Sequence, residues 1–148
     1  MGFNPNQYKP TNTEGVWESW QGGRFLIAKS GTARHTRIQE EVFAPYKHKL
    51  SMPSFSDDKR KELYAEVAAK GILVGWADLF DDSGEEIPYS VDAAAQMLLD
   101  IPELLSFVSQ FSINHANYRA ETVAQTAKKS EKPSIGIGSG EEKISKKT

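Results

Sequence analysis

Ile72-Leu73-Val74-Gly75-Trp76-Ala77-Asp78-Leu79-Phe80 is the most apolar stretch of the chain, and its conformation decides the fold. A run of this length fits either a buried strand or the continuation of a helix, and periodicity alone does not separate them. Trp76, Leu79 and Phe80 extend the three-and-four spacing of the residues upstream, which favours helix. Upstream, Leu63, Tyr64, Val67 and Ala68 have helical spacing behind Ser56, a good N-cap, with Asp57 and Asp58 facing the positive end of the dipole. Gly71 is a candidate terminator.

Working outward, Asp81 to Glu86 reads as a turn and Ile87-Pro88-Tyr89 as its extended exit. Ser90 caps a short helix carrying Val91, Ala94, Ala95, Leu98 and Leu99. Pro102 suits the first position of the longest helix, expected to run to about Ala127. Its stripe is Leu104, Phe107, Val108, Phe111, His115 and Tyr118. Towards the start, Ile38, Val42 and Tyr46 recur every four residues, a short amphipathic helix interrupted at Pro45. Before it, Gly15–Trp20 and Arg24–Ala28 are rich in aromatic and β-branched residues. Gln21-Gly22-Gly23 joins them, which predicts a hairpin docked on helices.

The expected architecture is mainly α: a small helical domain over 15–130 with an N-terminal β-hairpin. Residues 1–14, polar and carrying Pro5 and Pro10, read as a flexible arm. Residues 131–148 hold Pro, Ser, Gly and charge with little to bury, so they read as a disordered tail.

The 148 residues suit one domain. There is no cysteine, which excludes disulfides, thiolate metal sites and a cysteine nucleophile. Eighteen basic against twenty acidic side chains give a net charge of -2. Near balance argues against a dedicated nucleic-acid binder. Residues 128–148 nevertheless hold six lysines and three glutamates, net +3, leaving -5 on residues 1–127. No long uncharged run suggests a membrane span, and Met1–Asn6 lacks the blocks of a secretory signal. Asn6 also stands where a myristoylation motif needs Ser or Thr. The composition predicts a soluble intracellular protein.

Motifs for chemistry fail one by one. His35, His48 and His115 are far apart and form no metal-ligand spacing, so no metal is expected. Asp81–Glu86 lacks the alternating ligands and closing Glu of a calcium loop. Ser56-Asp57-Asp58-Lys59 matches Ser-x-x-Lys without its partner motifs, and Ser56 already serves as a cap. Gly136-Ile137-Gly138-Ser139-Gly140 follows no strand and has no GK[ST], so linker is the better reading and no cofactor is implied. Trp17, Trp20, Trp76, Phe80, Phe107, Phe111 and Tyr118 form a generous aromatic set, for which core is the simpler reading. Arg24, Lys29, Arg34 and Arg37 cluster near the hairpin, a weak nucleic-acid signal. This profile fits a binding or assembly protein, not an enzyme.

The order of features from Ala69 to Ser130 resembles the tail assembly chaperones of long-tailed, siphovirus-type bacteriophages, the lambda G-like minor tail assembly proteins. The resembling elements are Gly75-Trp76-Ala77-Asp78-Leu79, Asp82-Ser83-Gly84 and Pro88-Tyr89-Ser90. Then come the Leu98–Glu103 step, Asn117-Tyr118-Arg119-Ala120-Glu121, and the closing Ala127-Lys128-Lys129-Ser130. The Trp17 hairpin with Gly22-Gly23-Arg24-Phe25 is similar to that family's start.

The resemblance implies a chaperone that works in the host bacterial cytoplasm. It binds the hydrophobic, helical tape measure protein, keeps it soluble while tail tube protein polymerises around it, and is absent from the mature virion. It also implies a longer form made by ribosomal frameshifting, for which Lys128-Lys129 is the candidate site, and it leaves homo-oligomers open. Apolar grooves between helices would take the helical client. The candidate protein-binding residues are Trp76, Phe111, His115 and Tyr118. The alternative is a small virion structural protein, a tail completion or head-tail connector subunit.

Overall fold

The computed structural model describes residues 2–119. The expected stretch of helix over 120–127, the Lys128-Lys129 site and the 131–148 tail lie outside them.

The hairpin forms where the sequence places it. Strands β1 (Val16–Trp20) and β2 (Gly23–Ile27) pair antiparallel from Val16↔Ile27 to Trp20↔Gly23. Gln21 and Gly22 both take positive φ, 52° and 86°, which is the two-residue turn whose twist matches the strands. The first helix, α1 (Ala33–Phe43), starts where the Thr32 hydroxyl accepts the His35 N–H at 3.1 Å. A 3-10 turn over Ala44–Tyr46 accommodates Pro45. The second helix, α2 (Asp57–Gly71), starts at Ser56, whose hydroxyl accepts the Lys59 N–H at 3.1 Å.

The apolar stretch after Gly71 is not a continuation of α2. It is a strand, β3 (Leu73–Ala77), pairing antiparallel with β2 through Arg24↔Ala77, Phe25↔Trp76, Leu26↔Gly75 and Ile27↔Leu73. The register slips between Leu26 and Ile27, so Val74 is an extra residue on β3. The helical reading rested on Trp76, Leu79 and Phe80, of which only Trp76 lies in the strand. Leu73 and Trp76 are three apart, a helical spacing, yet both are buried on one face of a strand. Asp78, at φ 64°, ends the strand.

Among the described residues the architecture is therefore mixed α and β, four helices with a three-stranded antiparallel sheet of order β1-β2-β3, rather than mainly helical. The third helix, α3 (Val91–Asp100), is capped by Ser90, whose hydroxyl accepts the Ala93 N–H at 3.0 Å. Pro102 opens the fourth, α4, as its spacing predicts. But α4 spans Pro102–Ile113, 12 residues, and the 15-residue α2 is longer. The stripe runs on past the helix because Asn114 turns extended and its Oδ1 accepts the Ala116 N–H at 3.0 Å. His115–Tyr118 is a separate 3-10 turn.

Phe25, Ile27, Leu73 and Trp76 face α2, α3 and α4 in one core with Ala65, Ala68, Ala69, Ala94, Leu98, Leu104 and Val108. The alanines give α2 and α3 a close approach. A second, smaller core gathers Val42, Leu63 and Val67 between α1 and α2. Two bonds from Arg34, to the Gly71 and Lys70 carbonyls at 3.1 Å each, tie α1 to the end of α2 and satisfy its last acceptors. The opening segment is also tied. Thr11 and Asn12 donate N–H to the Tyr118 carbonyl at 2.8 and 3.2 Å, and Lys29 donates to Thr13 at 2.9 Å.

Candidate protein-binding surface

The four residues singled out from sequence do not converge. Trp76 is buried; its Nε1 donates to the Ile87 carbonyl at 2.8 Å and its ring meets Tyr89 edge-on at 5.0 Å. Tyr118 is fully buried, its hydroxyl donating to the Ile27 carbonyl at 3.0 Å, and burial pushes its phenol well above the ordinary tyrosine pKa. Phe111 is half-buried between Phe107 and Tyr118, ring centroids 6.2 and 5.7 Å away. His115 is exposed at the start of the 3-10 turn. The structure brings Phe111 and Tyr118 together and leaves Trp76 and His115 elsewhere.

The basic cluster near the hairpin is mostly engaged in structure. Arg24 pairs with Asp78 at 2.8 Å and lies over the Trp17 ring at 5.4 Å. Lys29 is buried, its ammonium donating to the Ser30 carbonyl at 2.8 Å, and burial holds its pKa below the ordinary lysine value. Arg34 is spent on the carbonyls that end α2.

A concave surface does form, on the smaller core. Thr36, Gln39, Glu40 and Phe43 of α1, Arg60 and Tyr64 of α2, and Leu50 of the connecting segment line a groove of about 480 Å³. That is in the range of binding clefts. Its far wall is built by Arg60, whose Nη2 donates to the Leu50 carbonyl at 3.1 Å while the guanidinium lies 5.1 Å from the Phe55 ring. Beside it, Lys59 lies over Tyr46 at 5.1 Å; that neighbour first, then Glu62, holds the ammonium above its ordinary pKa. Phe43 and Tyr64 meet edge-on at 5.3 Å, and Tyr64 is 53% exposed.

The groove thus brings the apolar side chains of Phe43, Leu50 and Tyr64 together with an acid, Glu40, and a base, Arg60, in one lining. No group of three or more metal-ligating side chains occurs among the described residues. Such a lining suits the apolar stripe of a helix with polar flanks. The sequence placed Tyr64 in the apolar set of its helix. On a helix, however, it lies about 100° around from Leu63, so it turns out of the Leu63–Val67 line and towards Phe43. Pairing Tyr64 with an aromatic on the preceding helix was the signal that could have found the groove.

The class is that of a phage-derived protein. The chain belongs to the YdaY prophage protein family, whose model matches residues 30–129, a stretch that contains every groove residue. No curated protein and no solved structure matches the chain.

Proposed function

We propose that this protein is a phage tail assembly chaperone that holds an amphipathic helix of the tape measure protein in the α1–α2 groove. The groove, with its exposed Tyr64 beside Phe43 and with Glu40 and Arg60 in the same lining, is the observation that carries the reading. Membership of a prophage family and the likeness of residues 69–130 to tail assembly chaperones support it. Binding is non-covalent and needs no catalytic group. The chaperone acts in the host bacterial cytoplasm, keeps the client soluble, and gives way to tail tube protein as the tube grows. Half-exposed aromatic contacts suit such exchange, since affinity among related complexes is tuned through dissociation. A frameshifted longer form of the chain works beside it.

Co-expression with the tape measure protein of the same genome tests this. Soluble co-purification that is lost in Tyr64→Ala, with the variant still folded, is the expected result. A client that aggregates regardless, together with this chain in purified particles, would instead make it a virion subunit.

A further inference from the structure

The two helices that build the groove run antiparallel. Arg34, near the start of α1, bonds to the Lys70 and Gly71 carbonyls at the end of α2, whereas Phe43, the last residue of α1, meets Tyr64. From that aromatic pair the two charged residues of the lining lie in opposite directions. Glu40 is three residues back along α1, about 4.5 Å of helix rise, and Arg60 four residues back along α2, about 6 Å. In an antiparallel pair these steps add, so the acid and the base stand about 10 Å apart along the groove with Phe43 and Tyr64 between them.

Neither charge is neutralised among the described residues. Glu40 is exposed and joins no ion pair. Arg60 is half-buried, and its contacts are the Leu50 carbonyl and the Phe55 ring, neither of them an anion. The adjacent Lys59, by contrast, is already engaged with Glu62 at 3.6 Å and with the Tyr46 ring.

Resting on the reading of the groove as the client's seat, we propose that it selects its helix by charge. The client carries a base against Glu40 and an acid against Arg60, seven residues apart, with apolar residues between them over Phe43 and Tyr64. Seven residues of helix span about 10 Å, and positions i, i+3, i+4 and i+7 share one face, so both charges and the apolar pair enter the groove together. Order along the client is free, because a helix with the acid first seats in the opposite direction. Two acids or two bases at those positions set like charges against Glu40 or Arg60, and that is what the groove rejects.

Stapled peptides of about five helical turns test this. Each has one leucine stripe, and they differ only at the two positions: Lys and Glu, Glu and Glu, or Lys and Lys. Titrated into the full chain at low salt, the Lys–Glu peptide is expected to bind about fivefold tighter than either like-charged one, with the gap narrowing as salt rises. Glu40→Lys changes an exposed helix position and should make the Glu–Glu peptide the tightest. Weaker binding of every peptide to Tyr64→Ala places them in the groove. Three equal affinities overturn the charge rule and leave the groove as the seat. Binding that ignores Tyr64→Ala, or no binding at all, removes the seat and the rule with it. A free chain that self-associates through Tyr64 gives the groove to a second copy and also overturns the proposal. A preference that inverts in Glu40→Lys, beside a natural client that is not captured on co-expression, keeps the charge rule and discards the chaperone reading.

Discussion

The sheet core and the α1–α2 core use apolar side chains to opposite ends. Around the sheet, Ile27, Leu73, Ala94, Leu98, Leu104 and Val108 are at most 1% exposed and the helices close over them. Between α1 and α2, Val42, Leu63 and Val67 are buried while Ile38, Phe43, Tyr46, Leu50 and Phe55 remain half-covered, with polar and cation–ring contacts holding the connecting segment in place. One region maximises burial. The other leaves aromatic area at a concave surface, an arrangement that costs little stability to alter and leaves area for a partner to cover.

Four experiments break or sharpen that contrast. The largest effect is expected from Leu104→Ala, which empties a sealed site and costs about 2–5 kcal/mol of unfolding free energy by denaturant titration. A loss well under that would mean the sheet core is as loosely closed as the groove. Next, Ser56→Ala and Ser90→Ala each remove a cap and cost about 1 kcal/mol. Equal losses would fit one cooperative unit spanning α2, which touches both cores, and α3, which touches the sheet core. Tyr64→Ala removes an edge-on ring contact from an exposed residue, for about 1 kcal/mol or less, and its main effect should appear in client capture. A melting temperature that falls as far as in Leu104→Ala would assign Tyr64 to the interior.

The smallest effect is a pH dependence. Burial first, then Arg34 and Lys29, hold the His35 pKa below its ordinary 6.5, and its Nδ1 accepts the Gly31 N–H at 3.2 Å. The folded state favours the neutral ring, so the unfolded chain binds more protons as pH falls through 6.5. The contribution of His35 is complete above that value and is lost progressively below it, towards and through the folded pKa. Comparing His35→Gln with wild type by melting between neutral and mildly acid pH should flatten this slope. An unchanged slope would assign the acid sensitivity to other groups.

Local signals made much of the fold readable. The Gln21-Gly22 turn, the Ser56 and Ser90 caps and Pro102 each act within a few residues, so the hairpin and three helix starts fall where the sequence places them. What failed depended on distant partners. The helical spacing of Trp76, Leu79 and Phe80 misleads because β2 offers Leu73–Ala77 a ladder and Asp78 ends that strand before Leu79. Asn114 ends α4 through its own side chain while Tyr118 continues the stripe by reaching Ile27, a residue 91 positions away. The groove was hidden for the same reason, since Arg60 builds its wall by bonding to Leu50 across a segment with no regular pattern.

The bonds from Thr11 and Asn12 to the Tyr118 carbonyl close the described chain on itself like a drawn purse string. The chain ahead of residue 11 and the chain beyond residue 118 set out from the same place. Arg119 marks the spot, its guanidinium 4.7 Å from the centre of the Tyr8 ring. Residues 8–12 and 118–119 therefore share one neighbourhood, so a substitution at Tyr118 or Arg119 is felt at both ends of the described chain.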